Sequence, residues 1–222
     1  AHTRPASPCG DIPPETVIDT FYRSGYNGIA ITNHFFCDLF SRYYHAKDKQ
    51  EVLDKYLSDY YKARQEGEKV GMKVYLGAEL RWQSTGNNDY LLFGIDEHML
   101  SDIYDYMSAD PATFVRDCKS EKSFFLQAHP FREDMTRFDP ALLDGEEVFN
   151  LHPNHNSAIA FADQFAEQHH KIKTMGTDYH HEGHHNLCST RTKILPKDSF
   201  ELASTLKAND FIFEMTGSII LP

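Results

Sequence analysis

The sequence predicts an α/β fold in which a parallel sheet, open or closed into a barrel, is wrapped by helices. Short apolar runs typical of strands alternate with longer amphipathic runs typical of helices along the whole chain. With 222 residues and 41% hydrophobic content, the chain can bury one full core. Several strand-like runs end on His, Asp or Glu. Because ligands bind at the carboxyl ends of strands in such folds, these side chains predict one common site.

The first helix and strand are predicted from turn signals. Pro13 and Pro14 suit the opening of a helix, apolar residues then recur at helical spacing, and Gly25 ends the run. A short apolar strand over 28–32 follows, and it leads to His34 at its carboxyl end.

The next elements repeat the same order. Many charged residues and an inward apolar stripe predict a helix over 48–70. The strand over 73–79 ends on the carboxylate Glu79. Residues 81–88 are typical of a hairpin connection, and a buried strand over 90–95 follows it.

The second half continues the alternation. Helices are predicted over 97–106, 112–119, 156–169 and 199–207, and strands over 123–128, 147–150, from 172 onward, and over 211–214. The strand over 123–128 delivers His129, and the strand from 172 delivers Asp178 and His180.

An extended backbone points Asp178 and His180 the same way. A carboxylate oxygen beside an imidazole nitrogen suits Zn, Mn or Fe better than Ca or Mg. Asp-x-His alone is a common pattern. The stronger indication is that His34, Glu79 and His129 lie at other strand ends, so four separate loops converge on one edge.

Composition limits the classes of partner. Lys and Arg total 22 against 33 Asp and Glu, a formal net charge of −11, which disfavours strong binding to nucleic acid or anionic membranes. Bound metal ions can reverse the local field, so a small anionic substrate remains compatible. No membrane-length apolar run or signal peptide is visible. Four scattered cysteines without a CxxC pair favour a reduced, cytoplasmic protein, with two disulfides as the open alternative.

Five segments, in this order, are specific together: His2-Thr3 with Ser7-Pro8-Cys9-Gly10, Thr32-Asn33-His34, Gly77-Ala78-Glu79, Ala128-His129-Pro130 and Gly176-Thr177-Asp178-Tyr179-His180. Because it contains these five segments, the chain resembles the polymerase and histidinol phosphatase (PHP) domain family of metal-dependent phosphoesterases. The resemblance covers nearly the whole chain and implies a single domain over 1–222. It also implies a distorted seven-stranded β/α (TIM-like) barrel.

The resemblance implies two or three divalent ions (Zn, Mn or Fe) at the carboxyl rim. The residues carried over as metal ligands are His2, His34, Glu79, His129, Asp178 and His180. Glu79 would bridge metals, His129 would bind the second metal, and Asp178 the first. His34 and His180 would hold a third.

The chain departs from the family pattern at several positions. The first histidine of the opening His-x-His would precede Ala1, so the N-terminal edge of the first strand is expected to be missing from this sequence. The candidates for the remaining ligand positions are Cys9 or Asp11 after the opening motif, Asp96 after the strand over 90–95, and His155 ahead of His152.

The predicted function is hydrolysis of a small phosphate mono- or diester by a metal-bound hydroxide. His34 or His180 would supply a proton to the leaving alkoxide, and Arg132 or Arg4 would clamp the phosphate. One alternative is an amidohydrolase-like C–N hydrolase, although such barrels carry a carbamylated lysine where Glu79 stands here. Another is a non-catalytic regulatory PHP domain of the kind attached to some DNA polymerases. The acidic charge disfavours a nuclease. The oligomeric state is not predicted.

Overall fold

The computed structural model describes residues 1–185, 187–215 and the backbone of 218–220. It contains the helices α1 (Pro14–Arg23), α2 (Lys49–Val70), α3 (Glu97–Tyr106), α4 (Pro111–Asp117), α5 (Ile159–Gln168) and α6 (Ser199–Lys207). Each matches a helix predicted from the sequence to within a few residues. A π-helical turn at Leu39–Tyr43 was not predicted.

The strands are short. They are β1 (Gly28–Ile31), β2 (His34–Phe35), β3 (Lys73–Leu76), β4 (Ala78–Leu80), β5 (Tyr90–Phe93), β6 (Phe124–Gln127), β7 (Gly145–Asn150), β8 (Ile172–Gly176), β9 (Cys188–Thr192), β10 (Phe211–Met215) and β11 (Ser218–Ile220). The polar run of β9 has no apolar alternation, and for that reason the sequence did not predict it.

Six strands form one mixed sheet in the order β2-β4-β5-β6-β7-β8. The pairs β2/β4, β6/β7 and β7/β8 are parallel, and β1 also pairs with β3 in parallel. Ile31 lies opposite Leu76 and His34 opposite Glu79 in one unbroken register, so β1–β2 and β3–β4 behave as two kinked strands. The predicted α/β fold with a mainly parallel sheet is confirmed. The closed seven-stranded barrel stays a prediction.

Strand β5 runs antiparallel to both of its neighbours. The predicted hairpin connection explains one of these pairings, since residues 81–89 are too few for the crossover that a parallel pair needs. Asp89 at the start of β5 therefore lies at the edge where the parallel strands end. Asp96, after β5, lies at the opposite edge.

The last strand predicted from the sequence, β10, does not follow the simple alternation of strand and helix in one sheet. β10 pairs antiparallel with β9 and with β11, so it belongs to a separate three-stranded sheet. Antiparallel pairing is the natural result for β10 and β11, because only two residues separate them.

Helices and this second sheet bury both faces of the six-stranded sheet. On one face Tyr90 and Phe125 pack with residues of α2, α3 and α4. On the other face Phe124 and Leu126 pack with Ala203 of α6 and with β10. This double burial explains why β5 and β6 are almost wholly apolar.

Between β1 and β8 lies a gap that contains a cavity of about 830 Å³, lined by residues of both strands. Residues 1 and 2 bridge this gap at the site edge. Thr32 N donates to the Ala1 carbonyl (2.9 Å), and His2 N donates to the Tyr179 carbonyl (3.0 Å). Among the described residues, none of the helices has the length and apolarity needed to cross a bilayer.

Candidate metal centre

Glu79 lies at the centre of the site, because β4 places it directly opposite His34 of β2. Its Oε2 is 3.1 Å from Nε2 of His2 and 3.2 Å from Nδ1 of His34. Its Oε1 is 3.5 Å from Nε2 of His129. One buried carboxylate thus faces three imidazoles that come from three separate segments.

The loop after β8 closes the other side of the site. His2 Nε2 lies 3.3 Å from Oδ1 of Asp178, and the His180 ring stacks on the His2 ring with centroids 4.3 Å apart. Nδ1 of His180 is 2.6 Å from the Asp178 carbonyl oxygen. All six residues predicted as metal ligands therefore meet at one edge of the sheet.

Burial and charge set the protonation of these groups. Burial lowers the pKa of His34 to about 3 and that of His180 to about 4, so both rings are neutral with a free lone pair at neutral pH. Burial alone would raise the pKa of Glu79, but His34 and His2 hold it well below its ordinary value. Burial opposes protonation of His2 as well, yet Glu79 and Asp178 raise its pKa well above the usual range.

Two of the candidate ligands have left-handed backbone. His129 has φ of 32° and Asp178 has φ of 48°, a conformation that costs a non-glycine residue about 1–2 kcal/mol. Such strain persists where surrounding contacts impose it, and it clusters at functional sites. His129 N, for example, donates to Glu147 Oε2 (3.1 Å).

The donor set fits a divalent metal ion. Nδ1 of His34 and Oε2 of Glu79 face each other at 3.2 Å, and both are buried atoms with no hydrogen-bond partner among the described residues. A buried polar atom left unpaired costs about 1–3 kcal/mol. Imidazole nitrogens and carboxylate oxygens are ligands of Zn, Mn and Fe, and binding an ion would satisfy these atoms.

Three solved structures resemble the chain at low sequence identity. A two-domain protein from Bacteroides vulgatus containing a predicted PHP-like metal-dependent phosphoesterase has 17% identity and a TM-score of 0.63 over 96% of this chain. This chain spans 62% of that protein's length. PsfC from Pseudomonas syringae has 14% identity and a TM-score of 0.61, covering 90% of this chain and 81% of its own.

A protein from Bifidobacterium adolescentis assigned as a candidate metal-dependent phosphoesterase has 15% identity and a TM-score of 0.54. The alignment covers 93% of each chain. The chain has a PHP-like fold. No protein-family model and no curated protein matches the sequence.

Asp89 is a candidate ligand of the centre that sequence reasoning missed. One ligand atom each of His34, Glu79 and Asp89 lie within 4.8 Å of one another. Burial first, and then the charge of Glu79, raise the pKa of Asp89 to about 6. Its carboxylate accepts two hydrogen bonds from Arg81 (2.7 and 2.6 Å). The signal that could have found it was the predicted hairpin, which turns the start of β5 towards the site.

Glu147 was also missed, because it lies inside β7 instead of at its end. Its Oε2 accepts from Nδ2 of Asn150 (3.0 Å) as well as from the His129 amide. A Cβ on Gly176 would come within 2.5 Å of Glu147 Oε1, so a larger residue there would require the Glu147 carboxyl to shift. Glu147 therefore orients the His129 backbone from behind the candidate centre.

The remaining candidates divide into two groups. Arg132 joins the site, where its Nη2 donates to Asp178 Oδ2 at 2.6 Å, and Cys9 lies beside the imidazoles. Arg4 is exposed. Asp96 is the N-cap of α3 and accepts from Met99 N, so it is not part of the site.

His152 and His155 lie at the rim of the candidate centre. The His152 ring is 5.0 Å from that of His180, and His155 packs on His152 at 4.5 Å. His152 is thus nearer to the site than His155, the reverse of the expected order. Asp11 pairs with the exposed His181 at 2.9 Å.

Proposed function

We propose that the protein is a metal-dependent phosphoesterase that hydrolyses a small phosphate mono- or diester. The observation that carries this proposal is the buried carboxylate of Glu79 facing His2, His34 and His129. The PHP-like phosphoesterase neighbours support the same class. A carboxylate at this position, instead of a lysine, favours phosphoester chemistry over the amidohydrolase alternative.

The residues divide into sets that would each hold one divalent ion. His2, Glu79 and Asp178 would hold the first. Glu79, His129 and Asp89 would hold the second. His34 and His180 would bind a third. Bound ions would lower the pKa of water and offset the negative charge of the substrate phosphate.

Arg132 is the candidate for binding the phosphate. Its Nε is buried and has no partner among the described residues, while its Nη2 is held by Asp178. A guanidinium held in this way is pre-oriented, so little side-chain entropy is lost when it binds a phosphate oxygen.

When no third ion is bound to them, His34 and His180 are the candidates for moving protons. Both side chains keep some exposure, 13% and 12%, so each reaches the substrate side of the centre. A neutral imidazole accepts a proton from the attacking water and can then deliver it to the leaving oxygen.

We also propose that the chain forms one domain whose strands close into a seven-stranded barrel. The bridging segment supports this: the Ala1 amine donates to the Ala30 carbonyl on one side, and His2 N bonds to Tyr179 on the other. The kinked strands β1–β2 and β3–β4, together with β5, β6, β7 and β8, make six strands. The seventh strand would lie between β1 and β8.

The test combines metal analysis with hydrolysis of a panel of phosphomonoesters, phosphodiesters and amides. We expect two or three ions per chain and turnover of one phosphoester class. Turnover of amides alone would establish the amidohydrolase alternative. A full metal complement without any turnover would support the non-catalytic regulatory domain.

A further inference from the structure

Cys9 lies among imidazoles at the rim of the centre. One ligand atom each of His2, Cys9, His34 and His180 all fall within 4.8 Å of one another. Cys9 is partly buried and forms no disulfide. No step of the proposed phosphoester hydrolysis uses this thiol.

The loop that carries Cys9 is fixed on both sides to ligand-bearing segments. Ser7 N donates to the Thr3 carbonyl (2.8 Å), and Asp11 N donates to the His180 carbonyl (3.2 Å). The Ser7 hydroxyl accepts from His34 N (2.9 Å). These contacts therefore fix the backbone of the loop that brings the Cys9 sulfur beside His34 and His180.

The neighbouring ligands divide between ions in a way that leaves a place for sulfur. Nε2 of His2 faces Glu79 and Asp178, so it belongs to the carboxylate-rich part of the centre. His34 and His180 are then left with only two nitrogens for an ion of their own. Three protein ligands and one open position for water or substrate form the usual catalytic zinc arrangement.

We propose that Cys9 is a thiolate ligand to the ion held by His34 and His180, and that the sulfur makes this position selective for zinc over manganese. Binding replaces the S–H bond by an S–Zn bond and releases the thiol proton to solvent. Thiolate sulfur is a soft ligand that favours zinc, whereas manganese is better matched by oxygen. This inference rests on the proposed metal centre but not on its activity.

The test uses the cobalt-substituted protein, because Co²⁺ reports sulfur ligation spectroscopically. Wild type should show a sulfur-to-cobalt charge-transfer band in the near ultraviolet, and Cys9→Ser should lose it. Cys37→Ser is the matched control, since Cys37 is exposed and its thiol donates to the Met107 carbonyl. That variant should keep the band.

X-ray absorption of the zinc-loaded protein gives a second measurement. Wild type should show a Zn–S distance of about 2.3 Å, which should be absent in Cys9→Ser. Loss of an outer-shell partner lowers metal affinity by about 10–100-fold. In Cys9→Ser, the zinc affinity of the position should fall by more than that. Manganese affinity should change little. Circular dichroism of Cys9→Ser and Cys9→Ala checks that both variants fold.

The outcomes separate this inference from the proposed function. A band lost only in Cys9→Ser, in a protein without phosphoesterase activity, would support the ligand and reject the function. Phosphoesterase activity with no sulfur signal, or a band that survives in Cys9→Ser, would overturn the ligand and leave the function. Failure to bind any metal would reject both.

Discussion

At the scale of single residues, the buried carboxylates differ in what surrounds them. Glu79 faces imidazoles, which favour its ionised form. Glu147 accepts hydrogen bonds from the His129 amide and Asn150. Both oxygens of Glu146 are buried without a partner among the described residues. These differences predict different consequences when each carboxyl becomes an amide.

Glu79→Gln should lose metal and activity together while the fold survives. The amide keeps the shape of the side chain but removes the negative charge that would bind the metal ions. Metal analysis, activity and circular dichroism check this. Glu147→Gln is the matched control, because an amide oxygen can still accept from the His129 amide, and its metal content should stay near wild type. Activity retained in Glu79→Gln would exclude a bridging role.

Glu146→Gln should stabilise the protein increasingly as pH rises above about 5. Burial raises the pKa of Glu146 to about 8, with the charge of Lys171 opposing that rise. The folded state therefore holds a proton that the unfolded state releases above about pH 4.5. Stability is lost as pH rises from there towards 8, on the order of 3 kcal/mol by pH 7.

The measurement is denaturant unfolding of both proteins from pH 4 to pH 8. The variant's advantage should be small near pH 4 and grow with pH. The facing groups Tyr90 and Lys171 are unchanged in both proteins. A stability difference that does not vary with pH would contradict the buried-carboxyl explanation.

At the scale of elements, the direction of β5 decides which aspartate reaches the site. Asp89→Asn should lower the number of bound ions, because it weakens a ligand beside Glu79. Asp96→Asn should change neither metal content nor stability, since asparagine is also a good N-cap for α3. Metal analysis of the two variants distinguishes them. Equal metal loss in both would mean that the strand direction is not what selects the ligand.

Helix α2 supports the site from behind through Asp59, which is fully buried. Asp59 Oδ2 accepts from the Thr3 hydroxyl and from Ala6 N, both at 2.9 Å. Thr3 in turn bonds Asn33 through its amide (2.7 Å) and its hydroxyl (2.8 Å). Thr3 follows His2 and Asn33 precedes a second histidine, so this network joins the segments of two candidate ligands.

Asp59→Asn should weaken metal binding by about tenfold, near the lower limit for an outer-shell partner. Leu57→Ala on the same helix is the control. Removing this buried side chain should cost about 2–5 kcal/mol of unfolding free energy and leave metal affinity unchanged. Metal titration and thermal unfolding of both variants separate positioning from stability. Parallel loss of affinity in both would reduce Asp59 to a purely structural role.

At the scale of the whole molecule, metal loading should stabilise the fold. The formal net charge is −11, and buried acids lie close together at the site. An ion that binds only the folded state contributes about 2.7 kcal/mol at a free concentration 100 times its dissociation constant. Chelation should therefore lower Tm, and added zinc should restore it. Glu79→Gln should show little response, and an equal response in that variant would place the ion elsewhere.

The sequence by itself determined the helices, most of the strands and the polar residues that follow them. These depend on local signals: apolar periodicity, proline and glycine at helix ends, and ligand-type residues at strand ends. Neighbouring residues carry such signals, so His34, Glu79, His129 and Asp178 could be found without a structure.

Only the tertiary structure decided the direction of β5, the second sheet around β10, and the places of Asp89, Glu147 and Cys9. Glu147 lies within a strand and Asp89 before one, so neither follows a strand as the predicted ligands do, and only the predicted hairpin pointed to Asp89. Their proximity to the site depends on strand direction and register between segments far apart in the chain. Contacts of that kind are set by packing of the whole sheet, which no short stretch of sequence records.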